Sequence, residues 1–172
     1  MTRLVALLRG VNVGNIKVRS ADLAAMARDM GLEDVRTVLA SGNLVFTADE
    51  SPASLKRRIE KALRDTFGYD AWIVLTTADH VAAVIDAYPF EERDGYQPYV
   101  VFGSDQAVLD EIVEAASGLP EADEKVAPGD GVIYWECPRG STVGTPFAKL
   151  IGKAKYRSTT TNRNLRTLRK LV

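Results

Sequence analysis

Few side chains of the 172-residue chain combine a reactive type with a useful spacing. His80 stands beside Asp79 in what the pattern makes the first turn of a helix, where an imidazole could act as a general base. No serine or cysteine nucleophile motif surrounds it, and the competing reading is a solvated histidine at a helix start. Cys137, the single cysteine, is read as following a strand and precedes Pro138. It lacks the electropositive helix start that makes a thiol reactive, although Arg139 is near. The neighbouring carboxylates Glu91 and Glu92, and Asp123 and Glu124, would point to opposite faces of a strand or be solvated in a loop. With one histidine and one cysteine, neither a His/Cys metal site nor a histidine-dependent triad is expected within one chain, and no cofactor is called for.

Two loops carry chemistry of another kind. Gly10-Val11-Asn12-Val13-Gly14 follows an apolar strand and precedes a helix, a position where backbone N–H groups can hold a phosphate. It lacks the third glycine of a dinucleotide-binding turn and the Gly-Lys-Ser/Thr ending of a P-loop, so neither nucleotide motif is present. Ser41-Gly42-Asn43 reads first as a hairpin turn. The bland reading of both loops is that glycine supplies backbone angles and asparagine satisfies neighbouring backbone.

Charge is unevenly spread. The net charge is −1, yet residues 149 to 172 hold eight cations (Lys149, Lys153, Lys155, Arg157, Arg163, Arg166, Arg169 and Lys170) and no acid, which leaves the rest at −9. Such a block is either the footprint of a polyanion site, with Lys149, Lys153 and Lys155 as contacts to nucleic acid, or a face solvated or paired with the chain's own acids. A hydrophobic content of 46% and a charged content of 26% are those of a folded globular chain. The longest apolar runs, such as Leu4 to Leu8, are far short of the roughly 20 residues a membrane helix needs, and no signal-peptide pattern is seen, so a cytoplasmic protein without membrane partners is expected.

The elements that must position these loops follow from periodicity. Residues 3 to 8 read as a central strand, apolar on both faces. Ser20 is the N-cap expected for a helix with Leu23, Met26, Ala27 and Met30 at helical spacing, closed by Gly31. Val35 to Leu39 and Leu44 to Thr47 are strands around the turn. Ser51 caps a helix with Pro52 at its first position and Leu55, Ile59, Leu63 and Phe67 on one face, ended by Gly68, and Ala71 to Leu75 is the next strand. The order is β-α-β-β-α-β. A linking helix from Thr77 to Tyr88 stops at Pro89, and an acidic loop from Glu91 to Gly95 follows. Strand Tyr99 to Phe102, a helix opened by Ser104, strands Lys125 to Ala127 and Val132 to Glu136, a short helix from Thr145, a strand near Ser158 to Thr160 and a terminal helix nearly repeat the order. The expected fold is therefore α+β, two fused ferredoxin-like halves: 1–76, a linker 77–96, and 97–172 with its basic C-terminal helix.

Three segments in this order, Arg9-Gly10-Val11-Asn12-Val13-Gly14, Ser41-Gly42-Asn43-Leu44-Val45-Phe46 and Thr161-Asn162-Arg163-Asn164-Leu165 onward to Leu171, resemble the bacterial domain of unknown function 1697. Tyr88-Pro89-Phe90 echoes that family's Asn-Pro-Phe-like stretch. The resemblance spans nearly the whole chain and implies a duplicated α+β fold in one compact chain, with no defined activity. The chain differs from the pattern at Asn162, where threonine is common, and at Leu165, where an aromatic residue is common, so stacking on that aromatic is not expected here.

Topology then gives a location. In a β-α-β-β-α-β unit the first two strands run parallel, and the third pairs between them, so the turn into strand three lies beside the loop leaving strand one. Arg9, Asn12, Ser41 and Asn43 would converge as an anion cradle of one cation, a hydroxyl, amide donors and backbone N–H groups. The resemblance further implies that Arg163 and Asn164 join them. The expected activity is non-covalent binding of an anionic ligand, a nucleic acid or a phosphorylated molecule; the alternatives are an enzyme acting on a phosphorylated substrate at the same loops, or a structural or assembly module. RNA stacking on an open sheet is disfavoured, because Leu44-Val45-Phe46-Thr47 is not aromatic-rich and the first strand is apolar on both faces.

Overall fold

The computed structural model describes residues 1–9, 17–38 and 42–172. Gly10, Asn12, Gly14 and Ser41, on which the loop readings rest, lie outside the described residues. The architecture is mixed α+β, with two four-stranded antiparallel sheets and six α-helices among the described residues. The chain divides into two compact units, Met1–Ala82 with Lys170–Val172, and Ala83–Arg169.

In the first unit, β1 (Thr2–Arg9), α1 (Ser20–Asp29), β2 (Glu33–Val38), β3 (Asn43–Ala48), α2 (Pro52–Phe67) and β4 (Trp72–Thr77) build a sheet of order β2-β3-β1-β4. The run Leu4 to Leu8 is buried on both faces, which suits an inner strand paired on both sides. Leu4, Ala6 and Leu8 share one core with Leu44, Phe46 and Ile73 from the sheet, Leu23, Met26 and Ala27 from α1, and Leu55, Ile59 and Leu63 from α2. Both helices therefore bury their apolar stripes against one sheet face. α2 is delimited as its sequence requires: the Ser51 side chain accepts from the Ser54 N–H, Pro52 is the first helical residue, and Gly68 closes the helix at φ +68°. α1 differs, because Ser20 is already helical and Arg19 takes the cap position without a side-chain bond. Edge strand β2 is mostly polar, shifts register between Glu33 and Arg36, and has Asp34 at φ +47°, where the Arg3 guanidinium donates to its carbonyl. The Arg36 guanidinium donates to the Lys170 and Leu171 carbonyls, which fixes the last residues of the chain.

α3 (Ala78–Asp86) begins directly after β4, and its first turn is held by the Thr77 hydroxyl, which accepts from the His80 N–H. In the second unit, β5 (Tyr96–Gly103), α4 (Gln106–Ser117), β6 (Lys125–Pro128), β7 (Val132–Pro138), α5 (Pro146–Ile151), a 3₁₀ turn (Ala154–Tyr156), β8 (Thr160–Asn164) and α6 (Leu165–Arg169) give the sheet order β6-β7-β5-β8. Its core gathers Val101, Ile133, Trp135 and Cys137 from the sheet with Leu109 and Ile112 from α4, and with Phe147, Leu150 and Tyr156. Asp105, rather than Ser104, caps α4 by accepting from the Ala107 N–H. The last strand runs over Thr160–Asn164 instead of ending at Thr160, so Asn162-Arg163-Asn164 is strand and not loop. Three polar residues in a row carry no strand period, and their pairing with Tyr99, Val100 and Val101 is what orders them.

Tyr69 sits in the first core, nine-tenths buried, with no hydrogen-bond partner for its hydroxyl among the described residues, and burial pushes its pKa up to about 12. An unsatisfied buried hydroxyl costs about 1–3 kcal/mol. Tyr69→Phe is therefore expected to raise the urea midpoint. Because the folded pKa lies above the unfolded value near 10, the tyrosine's contribution is complete below pH 10 and is lost as pH climbs toward 12. The variant should accordingly lose stability less steeply than the parent over that interval, as read by urea unfolding at a series of alkaline pH values.

Candidate functional site

β3 lies between β2 and β1, and this brings the start of β3 against the end of β1. Asn43 is the cross-strand partner of Leu7, and the Leu8 N–H donates to the Gly42 carbonyl at 2.9 Å. Arg9 is the next residue, opposite Trp72 of β4. Gly42 sits at φ +80°, a backbone angle glycine takes without strain. The turn into β3 and the exit of β1 thus share one end of the sheet, with Arg9, Gly42 and Asn43 at that end. Asn12 lies three residues after Arg9 in sequence and Ser41 directly before Gly42, and both are outside the described residues.

The chemistry of Asn43 is more structural than its position suggests. Its side chain is wholly buried, and its amide Nδ2 donates to the Val38 carbonyl at 2.8 Å, bridging the two ends of the β2–β3 connection. This supports the turn-forming reading for Asn43. Arg9 is half-buried and carries the cation at this edge. β1 offers no open face on which bases could stack, since Leu4 through Leu8 are all buried.

Arg163 and Asn164 belong to β8 of the second unit. Arg163 is 4% exposed, and one guanidinium nitrogen donates to the Thr161 hydroxyl at 2.6 Å and to the Asn162 carbonyl at 2.9 Å. The Asn164 amide donates to the Gln97 side chain at 2.7 Å, while its oxygen accepts from the Arg166 N–H and opens α6. Both side chains are built into their own unit by these bonds.

Of the basic residues, Lys149 lies in the last turn of α5, Lys153 precedes the 3₁₀ turn, and Lys155 lies within it; all three are exposed. Lys155 reaches Glu111 at 3.5 Å, and the neighbouring Tyr156 hydroxyl, together with the Glu111 carboxylate, raises its pKa above the ordinary lysine value. Arg169 is paired with Glu92, whose pKa that hydrogen bond lowers. The basic block is thus divided between paired cations and cations that face solvent.

The remaining reactive types are tied into structure. Cys137 lies within β7, fully buried, and burial pushes its thiol up to about 11, which keeps it protonated and unreactive. His80 is half-buried rather than solvated, with Nδ1 2.7 Å from the Thr76 hydroxyl. Glu124, expected to be solvated, accepts from the Trp135 indole at 2.8 Å and from the Phe147 N–H at 3.0 Å, joining β7 to the start of α5. Nothing in the local sequence marks that role, because both partners are distant along the chain. The Glu136 carboxylate, 1% exposed, is satisfied by a forked contact from Arg93, whose guanidinium also lies 3.6 Å over the Tyr96 ring. Among the described residues, no group of three or more His, Cys, Asp or Glu is placed to hold a metal ion, and no helix is long and apolar enough to cross a membrane.

Residues 1–134 match the family described as Protein of unknown function (DUF1697). The conserved bacterial protein SP0830 from Streptococcus pneumoniae is similar in structure, with a TM-score of 0.84 and 29% identity over 99% of this chain and 96% of that one. An unknown protein from Galdieria sulphuraria is 12% identical over 95% of this chain and 96% of that one, with a TM-score of 0.25, too low to bear on the fold. No curated protein matches the chain.

Asn43→Ala removes the buried amide that donates to the Val38 carbonyl, so it should lower the free energy of unfolding by about 1–3 kcal/mol in urea titration. An unchanged midpoint would show that the amide is not needed for folding and would return it to the list of ligand groups.

Proposed function

The chain belongs to the DUF1697 family, and we propose that this member binds an anionic ligand, a nucleic acid or a phosphorylated molecule, non-covalently where β1 ends and β3 begins. The observation that carries this reading is the shared sheet end: the Leu8 to Gly42 hydrogen bond holds two loop-bearing strand ends together, with the Arg9 cation beside them. A cation next to turns rich in glycine is suited to phosphate oxygens, which accept from guanidinium and backbone N–H groups alike. Asn12 and Ser41 complete the proposed cradle in the first unit, beside the turn that the Asn43 amide holds, and family resemblance alone adds Arg163 and Asn164 to the proposed anion contacts. Lys149, Lys153 and Lys155 are proposed as a separate contact surface for nucleic acid, supported by their exposure and by the absence of acids from residue 149 onward.

The same reading treats each unit as a ferredoxin-like βαββαβ half related to the other by duplication, 1–76 and 97–172 joined by 77–96. Its support is the spatial order of strands, second, third, first, fourth, in both sheets. A cytoplasmic setting is part of the proposal and is supported by the single, buried cysteine.

The test is a titration of inorganic phosphate and of single- and double-stranded oligonucleotides at two salt concentrations. For a polyanion site, the logarithm of the duplex association constant should fall against the logarithm of salt with a slope near −0.9 per phosphate contact. Arg9→Ala should weaken phosphate and oligonucleotide alike, whereas the Lys149, Lys153 and Lys155 to alanine triple variant should weaken only the oligonucleotides. An Arg9→Ala protein that folds and binds every probe as the parent does would remove the cradle. A triple variant indistinguishable from the parent would remove the lysine surface.

A further inference from the structure

We infer that the outer groove between α1 and α2 is a docking site for a cationic amphipathic helix of a partner protein, an interaction independent of the anion site. The groove is open, about 520 Å³ in volume, and Met26, Met30, Ala62 and Phe67 give it an apolar lining. Methionine and small residues suit a surface that must accept an apolar partner, because the thioether adapts its shape at little cost. Met26 is buried in the core, but Met30, Ala62 and Phe67 remain half-exposed at the groove.

Charge identifies the occupant. The groove is also lined by Asp22 and Asp29, both exposed on α1. They are seven residues apart, which is two helical turns, so they stand on one face of α1 about 10 Å apart along its axis. Neither forms an ion pair among the described residues. The charges of α2 near this surface are already engaged: Lys61 binds Asp65 at 2.6 Å, and Arg58 binds Glu50 and donates to the Met30 carbonyl. The charge left to the groove is therefore negative. Asp22, in the first turn of α1, is favoured by the helix dipole, but Asp29 is the last helical residue, where the dipole disfavours a carboxylate. A cation from a partner would offset that penalty. Two lysines or arginines seven residues apart on a partner helix match the two aspartates, and apolar side chains three and four residues after the first cation fall into the groove between them. An anionic partner is repelled by the same two groups.

The test uses the full chain and two synthetic helical peptides of about 18 residues, long enough to be helical. Both carry leucines for the groove; one carries lysines at the two matching positions and the other glutamates. The lysine peptide is expected to bind the parent at least tenfold more tightly, and Asp22→Lys with Asp29→Lys should reverse the order, with the glutamate peptide now preferred. The milder Asp22→Asn, Asp29→Asn pair should remove the preference without reversing it and serves if the reversal variant does not fold. Amide shifts on binding should fall on α1 and α2. Equal binding of the two peptides, no binding of either, or an unreversed preference in the folded lysine variant would overturn the proposal. So would a self-association, seen by sedimentation, that the aspartate variants abolish, since the occupant would then be a second copy of this chain.

Discussion

A strand that is apolar on both faces cannot serve as a sheet edge, and this constraint organises both units. Leu4 through Leu8 are all buried, so β1 must be paired on both sides as well as covered on both faces. The choice of partner follows from polarity. β2 comes first along the chain, but Glu33, Asp34 and Arg36 are exposed, whereas β3 has Leu44, Val45 and Phe46 fully buried. β3 therefore takes the inner place and β2 the edge. The second unit repeats the choice: β7, with Ile133, Tyr134 and Trp135 buried, lies against β5, and short β6, with exposed Lys125 and Pro128, is at the edge. Convergence of the Gly42 turn with the exit of β1 is a by-product of this ordering.

How much of this is legible in the sequence depends on whether the deciding interaction is local. The ends of α2 could be read because Ser51, Pro52 and Gly68 act on backbone groups within four residues. The helix stripes could be read because Leu55, Ile59 and Leu63 recur at the helical period, and the meeting of the two strand ends followed from element order and polarity together. Where the deciding partner is remote, the sequence is silent. β8 is polar along all five of its residues and is strand because β5 supplies its ladder. Glu124 stands beside Asp123 as an ordinary acidic loop residue until β7 and α5 bring an indole and a backbone N–H to its two oxygens. Asn43 looks the same in sequence whether its amide faces a ligand or the Val38 carbonyl, and only packing distinguishes them.

Net charge conceals a similar distinction. The basic block near the C-terminus is one feature in composition, but several in structure. Arg169 is committed to Glu92, Lys155 leans toward Glu111, and Arg163 is buried in its strand, where it contributes to folding rather than to a surface field. Lys149, Lys153, Arg157 and Arg166 remain exposed. Exposed pairs such as Arg169 with Glu92 add little stability, because solvent screens them and two long side chains must be ordered. Their larger effect is to set which cations project a field into solvent, and that subset is what a polyanion would meet first.

The anion cradle and its turn-only alternative differ in which groups still have bonding capacity beyond the ladder. The Leu8 N–H is used by the Gly42 carbonyl, and the Asn43 amide is used across the β2–β3 connection. An anion at this edge cannot draw on those two donors without breaking the sheet end that positions it. The recognition proposed above would therefore come from groups outside the ladder, among them the Arg9 guanidinium with its fork of donors. This division separates residues that look equivalent in sequence: Asn43 and Gly42 make the end of the sheet, and the proposed anion contact rests on Arg9.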